Sequence, residues 1–182
     1  MTRSTHAILA LACALTATPQ WLAAEVLDSS AAGFTMRETV EIQAAPQDVY
    51  AKIFRVGEWW NPVHTFSHDT HNLIMEQKAG GCFCEKLPNG GGVKHMEVVN
   101  FSPAKTIVLH GAMGPMQTMA VSGSMQIQLS PSNGGTKVEV TYAVAGYLPA
   151  GLTTWATIVD GVIKDQFTRL KNDIEKGDPA AK

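Results

Sequence analysis

The sequence predicts an α+β domain, a curved antiparallel sheet of seven strands against one long C-terminal helix. Three observations predict it. Hydrophobic residues make up 45% of the 182-residue chain, enough for one sizeable core. Six strand-length segments after residue 72 are separated by short turns rich in Gly, Pro and Asn, and strands joined by short turns pair antiparallel. Residues 152–176 then carry a broad apolar stripe at helical spacing, formed by Trp155, Ile158, Val159, Val162, Ile163, Phe167, Leu170 and Ile174. One amphipathic helix on one face of an antiparallel sheet is a two-layer α+β arrangement.

The first 24 residues read as a signal peptide. Arg3 gives a positive start, residues 7–17 are apolar but too short to span a bilayer, and Leu22-Ala23-Ala24 precedes the expected cut. This implies export, to the periplasm, with no stable membrane insertion after cleavage. Residues 25–33 read as a mobile lead-in of small residues. Residues 34–176 are the folded domain, and residues 177–182, after the helix stop at Gly177, are expected to be a disordered tail.

Phe34, Met36, Val40 and Ile42 alternate onto one face, which predicts the first strand. Arg37, Thr39 and Glu41 face the other way. Pro46 and Asp48 suit the first turn of a short helix, with Val49, Ile53 and Val56 as its apolar stripe. A second short turn holds Trp59 and Trp60 and is stopped by Asn61-Pro62. Strands are then expected over 73–77, 82–87, 93–101, 106–111, 119–129 and 136–144. In the last, Val138, Val140, Tyr142 and Val144 point inward. Gly81, Gly111 and Gly123 suit a bent sheet.

The formal net charge is −2, and charged residues are 16% of the chain. No basic excess exists to track a phosphate backbone, so nucleic acid is excluded as an expected partner. The chain lacks G-x-S-x-G, H-E-x-x-H, a paired C-x-x-C and a phosphate loop, which lowers the expectation of hydrolase, metalloprotease, redox or nucleotide chemistry.

The order of elements, Ala45-Pro46 at the first helix, Trp59-Trp60, Gly80-Gly81-Cys82-Phe83, the turn at Pro103, Gly134-Gly135-Thr136 and Val159-Asp160-Gly161-Val162 together resemble the START-like (SRPBCC) superfamily, in its polyketide cyclase/dehydrase and Hsp90-ATPase-activator-like branch. The resemblance covers residues 34–174. It implies a helix-grip fold with a cavity between the concave sheet face and the last helix. It does not assign chemistry.

Candidate ligand-binding residues are Trp59, Trp60, His64, Cys82, Cys84, His95, Met116, Trp155 and Val159. One Trp is expected to stack on a ligand and the other to fill the core. The adaptable Met113–Met119 segment suits an apolar guest. Cys82 and Cys84 share one strand face. Residues two apart on a strand are about 6.5–7 Å apart, which argues for two reduced, core-like thiols over a disulfide. His64 or His95 are the candidate acid/base residues if the cavity is catalytic. Glu85 and Glu97 on candidate strands and Asp160 and Asp165 on the last helix could supply a paired acid for acid–base work, but each is expected to be a surface or helix-face charge. His64, His68 and His71 with Asp69, or Cys82 and Cys84 with His64, are outside candidates for zinc or copper, and no cofactor is expected. The partner is expected to be a small apolar or amphipathic molecule, with binding ahead of a cyclase, dehydratase or hydrolase activity, and metal binding third.

Overall fold

A computed structural model describes residues 25–182; the segment read as a signal peptide lies outside the described residues. The sheet has eight strands, one more than the sequence predicts: β1 Glu25–Ser30, β2 Gly33–Ile42, β3 Leu73–Met75, β4 Gly81–Lys86, β5 Gly92–Ser102, β6 Thr106–His110, β7 Ala120–Ser132 and β8 Gly135–Tyr147. Helices α1 Pro46–Phe54 and α2 Val56–Trp59 follow β2, and α3 Thr153–Lys176 closes the fold. All strand pairs are antiparallel, in the order β1-β2-β8-β7-β6-β5-β4-β3. No described helix is long and apolar enough to cross a membrane.

The extra strand is the segment expected to be a mobile lead-in. β1 pairs with β2 through its backbone, with an irregularity between Val26 and Asp28. Its side chains are nearly all exposed, so it carries no alternating apolar pattern. The tail is also tied down: Asn172 Nδ2 donates to Ala181 O at 2.7 Å, and Gly177 ends α3 at φ 69°, a left-handed position that suits glycine.

β2 and β8 form the floor under α3. Phe34, Met36 and Ile42 face Val138, Val140, Tyr142 and Val144, all at most 2% exposed, and Ala156, Val159, Ile163, Phe167 and Leu170 of α3 pack on them. Ile158, assigned above to the helix's core stripe, is 51% exposed. Asn133 and Gly134, both at positive φ, make the two-residue turn between β7 and β8. An Asn-Gly pair favours such a turn, so both strands run further into it than the sequence suggests.

One distortion decides what the sheet presents. Phe83 pairs with Met96 and Cys84 with Lys94, which leaves His95 as the extra residue of a β-bulge. A bulge breaks strict alternation and re-aims a side chain. His95 and Met96 are consequently both buried, although they are consecutive. Gly111 makes room for the bulge. A Cβ there would lie 2.7 Å from His95 O, and its φ is +150°.

Candidate functional site

A cavity of about 230 Å³ opens between the sheet and the first half of α3. Trp60, the residue 63–66 segment, His95, the Met113–Met116 loop and α3 residues Trp155 to Ile163 surround it. Nearly all of these groups are apolar. His64 and His95 are the titratable side chains of the wall. Val63 (67% exposed), Phe66 and Ile158 make an apolar rim.

Of the residues singled out from sequence, Trp60, His64, His95, Met116, Trp155 and Val159 line this cavity. Trp59 does not. It is 1% exposed, packs on Phe167 at a ring separation of 5.8 Å and donates from Nε1 to Lys52 O. The core-filling Trp is therefore Trp59, and Trp60 is the one on the cavity wall.

Cys82 and Cys84 do not line the cavity either. They lie on the outer face of β4, on either side of inward Phe83, and are joined as a disulfide with a Cα separation of 5.3 Å. This corrects the expectation of two reduced, core-like thiols. The strand is drawn in below its regular spacing where the ladder to β5 is interrupted, and 5.3 Å is within the range of a bridge. The bridge also removes both thiolates from the zinc or copper alternative. His64, His68 and His71 do not converge: His71 Nδ1 pairs with Asp69 Oδ1 at 2.7 Å on the surface, whereas His64 faces Asp165 of α3 at 3.9 Å. Among the described residues no group of three or more His, Cys, Asp or Glu could hold a metal ion.

The polar feature of the cavity wall is a buried pair. His95 Nε2 lies 3.0 Å from Glu85 Oε2; His95 is 6% exposed and Glu85 2%. Glu85 also accepts from the backbone N–H of Phe66 at 3.1 Å and from that of Ser67. Burial would raise its pKa, but the hydrogen bonds from Ser67, Phe66 and His95 outweigh it and hold the carboxyl below its ordinary value. Burial lowers the His95 pKa, and Glu85 only partly opposes this. At neutral pH the pair is a carboxylate and a neutral imidazole. Nε2–H then donates to Glu85, which leaves Nδ1 as a lone-pair acceptor. Phe83 and Phe66 flank the ring at 5.1 and 6.0 Å.

The rest of the mouth is held by α3. Asp165 Oδ2 accepts from Asn61 Nδ2 at 2.8 Å, and Asn61 N donates to Gln166 Oε1 at 2.8 Å. The Met113 loop is anchored by Tyr142, whose hydroxyl donates to Gly111 O at 2.9 Å and accepts from Met113 N; burial pushes its pKa up to about 12.

Glu85, Phe66 and the rim residues were missed from sequence. Glu85 was expected at the surface, yet it shares parity with inward Phe83, and that parity is the signal that would have found it. Phe66 lies in an irregular segment where no periodicity exists to read. Asp160, expected as a surface or helix-face charge, lies near enough to Glu38 of β2 to raise its pKa and has a buried, unpartnered Oδ1.

Comparison with known proteins places the fold. The family described as polyketide cyclase / dehydrase and lipid transport matches residues 33–175. No curated protein matches. Among solved structures, CalU16 from Micromonospora echinospora is similar at a TM-score of 0.60 and 13% identity, covering 88% of this chain and 88% of that one. Aha1 from Colwellia psychrerythraea, solved as a dimer, gives 0.57 and 20%, covering 79% and 97%. The di-domain aromatase/cyclase StfQ of the steffimycin pathway gives 0.54 and 12%, covering 81% of this chain and 52% of that one. At these identities the likeness is one of fold.

Proposed function

The chain belongs to the polyketide cyclase / dehydrase and lipid transport family, and from that premise we propose that it is an exported protein that binds a small, ring-containing apolar molecule in the cavity under α3. The carrying observation is the cavity itself: about 230 Å³, walled by Trp60, Trp155, Val159 and Met116, with His95 at its polar point. Apolar walls with a few placed polar groups are the general form of a small-molecule site. The volume suits one or two fused rings better than a long acyl chain. Within the family's range of ligands, this favours the aromatic end over the lipid end.

In this pose the ring lies against Trp60 and Trp155. A hydroxyl on the ligand donates to His95 Nδ1, whose tautomer Glu85 fixes. 2-Naphthol is a suitable probe, because it has the size and the hydroxyl, and its binding is read by quenching of Trp60 and Trp155 fluorescence. Saturable quenching that Val159→Phe abolishes supports the proposal. Quenching unchanged in Val159→Phe would place the probe elsewhere and sink it.

A second function has its own observation. A neutral His held by a buried carboxylate is the base-and-orienter arrangement of general acid–base catalysis, and it faces the cavity here. On a cyclase- or dehydratase-type substrate, His95 would take a proton at Nδ1 and Glu85 would stabilise the imidazolium. A binder keeps 2-naphthol affinity within a few-fold in His95→Ala; an enzyme keeps binding in that variant but loses turnover. Export is part of the proposal, and N-terminal sequencing of secreted material should begin at Glu25.

A further inference from the structure

We infer that the Cys82–Cys84 disulfide is a redox-active site, open to thiol–disulfide exchange with a dithiol, and that it sets the position of the His95 wall. Four observations carry this. The bridge spans only two residues. Loop-closure stabilisation grows with loop length, so a bridge this short contributes little as a staple of the fold, and after reduction the thiols remain neighbours. Both cysteines are partly exposed on the outer face of β4, beside the three-residue strand β3, where an incoming thiolate can reach the sulfur. Their neighbours differ: Cys84 pairs across the ladder with Lys94, and Cys82 with Glu97. Lys94 Nζ and Glu97 Oε2 are paired with each other at 2.9 Å, which offsets much of the charge difference between the two sulfurs, and Cys84 is the better leaving group only through its register directly opposite the ammonium. Finally, the residues that alternate with the cysteines point inward onto the cavity wall. Phe83 packs on His95 at 5.1 Å, and Glu85 bonds it at 3.0 Å.

The exchange balances as follows. The thiolate of the dithiol attacks Cys82 Sγ, a new S–S bond forms, the Cys82–Cys84 bond breaks, and Cys84 leaves with the electron pair. The second thiol of the reductant, as its thiolate, then attacks the reductant's own sulfur in the mixed disulfide and expels Cys82 as a thiolate. The dithiol is oxidised to a disulfide, and the protein gains two electrons and two protons. Without the bridge, β4 can relax from the 5.3 Å Cα separation toward the regular strand spacing of about 6.5–7 Å. That shifts Phe83 and Glu85 against His95. The effect on a ligand rests on the cavity function proposed above; the sulfur chemistry and the His95 shift do not.

The test uses the folded, exported protein and dithiothreitol as the dithiol. Alkylation before reduction should modify neither cysteine, and alkylation after mild reduction without denaturant should modify both. The His95 ring resonance, assigned with His95→Gln and followed through pH by NMR, should move between oxidised and reduced protein. It should take its reduced position in Cys82→Ser/Cys84→Ser. No ligand enters these readouts, so they stand or fail separately from 2-naphthol binding, which reports on the cavity alone. Free thiols before reduction, reduction only after unfolding, or an unmoved His95 titration would each overturn the inference.

Discussion

Glu85 and Glu38 are the same residue type on the same inner sheet face, 2% and 4% exposed, and they end in opposite states. Glu85 collects two backbone N–H groups and an imidazole, and its carboxyl is held below its ordinary value. Glu38 sits between Met36 and Val40 beneath α3 with an unpartnered Oε2. Burial raises its pKa to about 7, with Lys164 opposing and Asp160 adding to the rise. Burial therefore does not decide the charge of an acid in this core; the donors placed around it do. They are supplied by the irregular 66–67 segment and by the bulge at His95, the two places where the chain departs from regular structure. The cavity wall is where the fold stabilises a charge, and the β2–α3 interface is where it suppresses one.

The largest expected effect breaks the Glu85 end. Glu85→Ala leaves two N–H groups and His95 without their acceptor and should cost about 3–5 kcal/mol, the usual range for removing one partner of a buried pair; urea unfolding measures it. Glu85→Gln keeps shape and an acceptor, should cost less, and should lower the His95 pKa further by NMR titration, because the opposing carboxylate is gone.

At the other end, Glu38→Gln should stabilise the protein at alkaline pH. The folded pKa of Glu38 lies above the unfolded value, 4.5 against about 7. Its contribution is fully present below pH 4.5 and is lost as pH rises through 7. Glu38→Gln should therefore match wild type near pH 4 and exceed it by about 3 kcal/mol at pH 8. Equal unfolding curves for the two proteins at pH 8 would show that Glu38 is solvated or paired.

A smaller effect tests the bulge. Gly111→Ala places a Cβ against His95 O at a backbone angle that side chains rarely adopt. It should cost about 1–3 kcal/mol and shift the His95 ring resonance, whereas an alanine at exposed Gly161, where a Cβ meets nothing, should do neither.

The same contrast explains what was legible in the sequence. The alternating faces of β2 and β8, the short helices and the stripe of α3 follow from periodicity, because burial of one face enforces it. Trp60, His64, Met116, Trp155 and Val159, candidates from sequence, line the cavity because they sit on or beside those elements. β1 was missed because a solvated edge strand needs only its backbone to pair. The inward turn of His95 depends on a bulge, and the disulfide on a local contraction of β4; neither leaves a period to read. Glu38 and Glu85 share parity with inward Met36 and Phe83, so their position is legible from alternation, while the donors that decide their charge are not.

The central claim, that the cavity under α3 holds a small organic molecule, is tested most directly by native mass spectrometry of the protein purified without chelator or reductant, followed by denaturation. A ring-sized organic mass that leaves on unfolding, and that 2-naphthol displaces beforehand, is the predicted result. A metal ion retained in its place, or a protein that is empty and neither takes up nor responds to 2-naphthol, would contradict it.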